Sequence, residues 1–173
     1  MKKSNAHQDQ FIFSIYADDK KGLLGQLLVF FNRRYYEVHS LNVSRTDISD
    51  LVLITVEAIV PESEVYSLRQ KLQRIIEVYR VDIYSGAGTL KKIGFYRLSI
   101  AAQTPVLWTI LDKYGAAVNS TNADSFVIRK TGSDNDLAEL YNLLEGQHLL
   151  SFCKSGLIMD ESLSTLGELE NVA

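Results

Sequence analysis

The chain has 173 residues and a net charge of −3, with 46% hydrophobic and 23% charged residues. That is enough for one ordinary domain or two small ones, and it is too apolar for a disordered chain. The mild acidity excludes the strongly basic footprint of a nucleic-acid binder, and no apolar run reaches the ~18 residues of a membrane helix. The single cysteine, Cys153, has no internal disulfide partner, and His7, His39 and His148 are too scattered to suggest a metal site. The polar N-terminus lacks the apolar core of a signal peptide, so the expectation is a cytoplasmic protein without metal, membrane or nucleic acid.

Residues 11–17 (FIFSIYA) read as a strand, rich in aromatic and β-branched side chains. A polar turn at 18–22 follows. Leu23, Leu24, Leu27, Leu28 and Phe31 then recur at helical spacing, predicting a helix to about Arg34. Strands are predicted at 38–44 and 51–60 across a hairpin at 47–50. Pro61 can open the next helix, whose apolar stripe is Val65, Leu68, Leu72, Ile75 and Ile76. Residues 78–84 close the series as a fourth strand, giving the order β-α-β-β-α-β.

Small residues at 85–89 read as a linker, and the same order then recurs. A strand at 95–101 precedes Thr104-Pro105, an N-cap followed by proline in the first helical turn. Val106, Leu107, Ile110 and Leu111 mark the helix stripe, and Gly115 ends it. Strands at 116–121 and 125–130 pair across 122–124. Leu137, Leu140, Tyr141 and Leu144 mark a last helix, ended by Gly146, before a closing strand at 148–157. Trp108 is expected to pack this half's first helix onto its sheet, and Cys153 to be a small core residue. In each half, a four-stranded antiparallel sheet with both helices on one face is the compact solution. The first and third strands are apolar on both sides, so the face away from the helices is expected to be covered by self-association or a partner.

The run 15–24 (IYADDKKGLL), together with 36–43 (YEVHSLNV), resembles an ACT domain. More narrowly, the chain resembles the small regulatory subunits of acetolactate synthase. Their ESL-V segment is matched by residues 39–43 (HSLNV), their EVLRV-like strand by 77–81 (EVYRV), and their RSG turn by 154–156 (KSG). Residues 126–132 (FVIRKTG) are also similar, and the likeness spans roughly 11–160. It implies an α+β chain of two ferredoxin-like domains: an ACT domain at 9–85, a linker at 86–92, a second ACT-like domain at 93–160 and an acidic tail at 161–173. It also implies a homodimer or higher assembly and no catalytic centre or cofactor. The partner it implies is a thiamine-diphosphate-dependent catalytic subunit, which the chain activates and makes sensitive to a valine-like amino acid.

A free amino acid needs a place for its carboxylate and another for its ammonium. Asp19, Gly22, Leu23 and Leu24 lie where the first strand turns into a helix, whose unpaired N–H groups can hold a carboxylate. Glu37 stands where the family has an asparagine of the amino-acid site, and Tyr35 where it has a glycine. A tyrosine in a helix-ending left-handed position costs ~1 kcal/mol or forces another geometry. Glu37 accepts from an ammonium and repels a carboxylate, which Lys20 and Lys21 could offset. On the residues alone, the favoured reading is that Asp18 or Asp19 is a plain helix cap and Gly22 a plain turn residue; it is the resemblance that brings ligand binding level with it. The rival functions are a stand-alone amino-acid-sensing regulator of another partner and, with no acid–base constellation to support it, a small enzyme.

Overall fold

The computed structural model of the chain describes residues 8–85 and 91–156, which divide into two compact units on either side of the gap. Most of the expected linker and all of the expected acidic tail lie outside the described residues.

The first unit runs β1 (Gln8–Asp18), α1 (Leu23–Asn32), β2 (Glu37–Arg45), β3 (Leu51–Pro61), α2 (Glu62–Gln73) and β4 (Val78–Ser85). Its strands form one antiparallel sheet in the order β2-β3-β1-β4, so β1 and β3 are central. Strand alternation sends Phe11, Phe13, Ile15, Val52, Ile54 and Val56 to one face. There they meet Leu23, Leu27 and Phe31 of α1 and Val65, Leu68 and Leu72 of α2. The Phe13 and Phe31 rings meet edge to face at 5.4 Å. Each large apolar side chain fully buried here contributes about 1.5–3 kcal/mol.

The opposite face of β1 and β3 carries Ile12, Ser14, Tyr16, Leu53, Thr55 and Glu57, none more than 2% exposed. The expectation that self-association or a partner covers this face does not hold for these six side chains. These side chains are buried within the single chain, and that face is not an open surface. Glu57 stays tolerable there because its carboxylate accepts from Ser40 Oγ at 2.8 Å and from Gln10 Nε2. Helix α2 stops at Gln73, short of the expected stripe. The N–H groups of Arg74 and Ile75 bond three residues back, to Lys71 and Leu72. That tight last turn swings Ile75 against the core and leaves Ile76 outside.

The second unit runs β5 (Lys92–Ser99), a 3-10 turn (Ile100–Ala102), α3 (Pro105–Lys113), β6 (Ala117–Thr121), β7 (Ser125–Gly132), α4 (Asp134–Leu144) and β8 (Leu149–Gly156). The sheet order is β6-β7-β5-β8. Strand β5 ends at Ser99 instead of running on, because Ser99 Oγ caps the 3-10 turn through Ala101 N–H. Thr104 caps α3 as expected, accepting from Leu107 N–H at 3.2 Å. Ser133 and Asp136 form a reciprocal capping box at α4 that the sequence reading did not single out. Gly94 lets α4 come close, since a Cβ there would lie 3.0 Å from Leu137 Cδ2. The buried Tyr96 hydroxyl donates to the Leu137 carbonyl at 2.8 Å, and burial pushes its pKa up to about 12.

Two single-residue expectations change here. Val106 is largely exposed, because Leu107 and Leu111 take the buried stripe of α3. Cys153 is exposed and not a core residue, because its register opposite Phe95 puts it on the face away from the helices. Trp108 does pack on the sheet, stacked 6.1 Å from Phe126, with its outer side open.

The charged anchor of this unit is Asp134, which accepts from the buried Lys92 Nζ at 2.6 Å and also from Lys154. Burial pushes its carboxyl up, but the two lysines outweigh that and hold it below the usual 3.8. Its stabilising contribution is thus complete above pH ~4 and is lost as pH falls through the lowered folded value. Asp134→Asn should cost about 2 kcal/mol at neutral pH, less than a fully buried pair because Lys154 stays half in water. Urea unfolding at several pH values should show that loss, together with a shallower fall of stability below pH ~4.

Candidate functional site

The turn from β1 to α1 is tethered residue by residue. Asp18 Oδ1 accepts from the Tyr79 hydroxyl at 2.5 Å, which raises the Tyr79 pKa. Asp19 N–H donates to the Asp50 carbonyl at 2.7 Å, and Asp19 Oδ2 accepts from Arg45 Nε at 3.2 Å. Lys20 Nζ donates to Glu77 at 2.9 Å. That bond and the paired charge raise the Lys20 pKa and lower that of Glu77. Arg45 of β2, Tyr79 of β4 and the connecting residues Asp50 and Glu77 thus hold one short loop.

Gly22 then takes φ +87°, the left-handed region where a side chain is costly, and opens α1. No side chain caps this helix, so neither Asp18 nor Asp19 is the cap that a plain reading would make it. Among the described residues, the N–H groups of Leu24 and Gly25 meet no acceptor. With the partial positive charge of a helix start, these two donors suit a carboxylate. Leu23 is buried beneath the turn and Leu24 is half-buried beside it.

Asp19, Gly22, Leu23 and Leu24 therefore come together, and Glu37 does not join them. Glu37 is in register with Ile59, as is Gln10, whereas Asp18 is in register with Leu51 at the far end of β3. Eight residues of strand separate the two places, about 26 Å. Glu37 is exposed and sits 3.2 Å from His39 Nε2. Lys20 is held by Glu77, so it does not offset the Glu37 charge. Arg45 is the site residue that sequence reasoning missed. Its signal was topological: β1 and β2 run the same way beside β3, so their C-terminal ends share one end of the sheet.

Tyr35 keeps the left-handed conformation, φ +55°, with its side chain 95% exposed. It does not fill the turn at Gly22. The neighbouring Tyr36 hydroxyl donates to Glu64 of α2, and burial with that bond pushes its pKa up to about 12.

A separate cavity of about 440 Å³ lies between α4 and β8, lined by Leu137, Tyr141, Leu149 and Phe152. Its charged groups, Asp134 and Lys154, are already paired. Among the described residues, no group of His, Cys, Asp and Glu could hold a metal, and no helix is long and apolar enough to cross a membrane.

No family model matches the chain. It is 24% identical over 148 residues to the acetolactate synthase small subunit of Bacillus subtilis, covering 84% of this chain and 86% of that protein. It is 23% identical over 147 residues to that of Mycolicibacterium smegmatis, with the same coverage of 84% and 86%. The crystal structure of the acetolactate synthase small subunit from Thermotoga maritima shares the fold at a TM-score of 0.76 and 12% identity. That match covers 86% of this chain and 94% of that one.

The left-handed Tyr35 gives a direct test of local strain. Tyr35→Gly should stabilise the chain by about 0.5–1 kcal/mol, since the exposed ring forfeits no packing and glycine accepts positive φ. Chemical denaturation reads this, and a loss of stability would contradict it.

Proposed function

We propose that this relative of the acetolactate synthase small subunits is the non-catalytic regulatory subunit of such a synthase. In this reading it binds and activates a thiamine-diphosphate-dependent catalytic subunit and carries amino-acid feedback in branched-chain amino-acid biosynthesis. The observation that carries the reading is the extent of the likeness, 84% of this chain and 86% of the Bacillus subtilis protein, which takes in both units.

The effector site is completed by a second copy. Strand β2 is an edge of its sheet. If two such edges pair antiparallel about Leu41, Glu37 of one copy faces Arg45 of the other. The uncapped start of α1, with Asp19 on Arg45, then meets Glu37 of the neighbour. The Leu24 and Gly25 N–H groups take the ligand carboxylate, and the two acidic side chains face its ammonium. One carboxylate near an ammonium helps, but the second acts on the ligand carboxylate as well. A like-charge pair at ~4 Å costs ~4 kcal/mol at an effective dielectric near 20. Valine binding is therefore weak in this chain, or a different amino acid takes its place. Occupancy favours one arrangement of the paired copies, and the catalytic subunit feels that change.

Two measurements test this. The tagged chain drawn from native extract should bring down a large subunit identified by mass spectrometry as a thiamine-diphosphate enzyme forming acetolactate. Recovery of only unrelated proteins would point to the stand-alone regulator. Calorimetric titration with valine, leucine and isoleucine should show weak valine binding that Glu37→Asn strengthens. Tight valine binding that this change weakens would reverse the sign of the argument.

A further inference from the structure

The two sheets differ in what they leave open. In the first unit β1 and β3 are buried on both faces, whereas the central strands of the second unit, β5 and β7, expose Arg97 and Arg129 on the face away from the helices. Tyr96, Leu98, Phe126 and Ile128 face α3 and α4. The alternate residues Phe95, Arg97, Val127 and Arg129 form the middle of the other face, the two arginines exposed and the apolar pair half-buried. Arg97 is in register with Val127 and Phe95 with Arg129. The arginines are thus diagonal neighbours on the two central strands, ~7–8 Å apart.

Among the described residues, no carboxylate pairs with either arginine. The chain as a whole is at −3, yet β5, β6, β7 and β8 hold no Asp or Glu. Lys92, Lys130 and Lys154 lie on the helix side and are engaged, with Asp134 or the Tyr114 carbonyl. Arg97 Nε donates to Ser125 Oγ at 3.1 Å, and Arg129 has no hydrogen-bond or ion-pair partner among the described residues. Like charges on adjacent strands oppose folding, so packing does not account for this pair.

We infer that this open face, centred on Arg97 and Arg129 with Phe95 and Val127 between them, docks an acidic protein surface. Resting on the regulatory-subunit reading, that surface belongs to the catalytic subunit. The face is a flat sheet, and small-ligand sites are concave, so the occupant is a macromolecule. Three strands ~26 Å long and the shorter β6 of ~16 Å, ~4.8 Å apart, offer ~450 Å², over half of the ~800 Å² that one partner contributes to a standard interface. Arginines beside apolar side chains are the usual centre of such an interface. A single-stranded nucleic acid needs stacking aromatics on both central strands, and here Val127 stands where the second ring would be.

The test measures binding of the full chain to the purified catalytic subunit over a range of salt concentrations. Arg97→Glu with Arg129→Glu should weaken binding by about 30-fold or more at low salt and flatten its salt dependence. Arg97→Gln with Arg129→Gln should fall in between. Lys113→Glu, on the helix side, should stay within about twofold. Circular dichroism, self-association and amino-acid titration should match the unaltered chain in all three. If both arginine pairs bind within twofold of the unaltered chain, the face is not the docking surface, although the regulatory reading stands. Tight binding of an RNA oligomer, lost in the double charge reversal, would also overturn the assignment. If the unaltered chain fails to bind the catalytic subunit at all, the regulatory reading falls and takes this assignment with it.

Discussion

The antiparallel pairing of β1 with β3 positions everything else in the first unit. Eleven residues of each strand are matched, from Gln8 opposite Pro61 to Asp18 opposite Leu51. Both strands are buried on both faces, which is why neither alternates between apolar and polar. The pairing leaves β2 and β4 as edges. It also brings the end of β1, the end of β2 and the start of β3 to one end of the sheet. Asp18, Asp19, Arg45 and Asp50 meet there for that reason alone, and Glu77 and Tyr79 join from the start of β4.

That gathering gives the turn before α1 its character. Its side chains are occupied with one another, so the loop is held in place, while the backbone donors of Leu24 and Gly25 remain open. A loop fixed by side chains and open at its amides is pre-organised for an anion without paying ordering entropy on binding. The acidic side chains around the turn are already engaged, Asp18 with Tyr79, Asp19 with Arg45 and Glu77 with Lys20. Glu37 lies at the other end of the sheet, which is why the proposed effector site calls on a second copy.

Much of this was legible in the residues. The repeated element order, the two-sided apolar strands and the Thr104-Pro105 start of α3 all correspond to local chemistry that a linear pattern records. Other features depend on which strand ends meet, and no periodicity carries that. Arg45 reads as an ordinary strand-end cation until β2 is laid parallel to β1. Glu37 reads as a neighbour of the turn until the register puts it opposite Ile59. Cys153 looked like core because its neighbours are apolar, but one step along a strand changes the face. The burial of Ile12 and Tyr16 on the face away from the helices is likewise absent from the strand pattern, which shows only that both sides are apolar.

The two units present different chemistry: a turn tethered by its side chains with two open backbone donors in the first, and an exposed pair of arginines on the sheet face away from the helices in the second. A regulatory subunit needs both a place to sense and a place to push, and it needs no reactive centre of its own. The most direct measurement is the rate of acetolactate formation from pyruvate with thiamine diphosphate and magnesium. The chain alone should form none, and adding it to the purified catalytic subunit should raise that subunit's rate to a saturating plateau. A rate unchanged by saturating amounts of this chain, or turnover by the chain alone, would contradict the regulatory role.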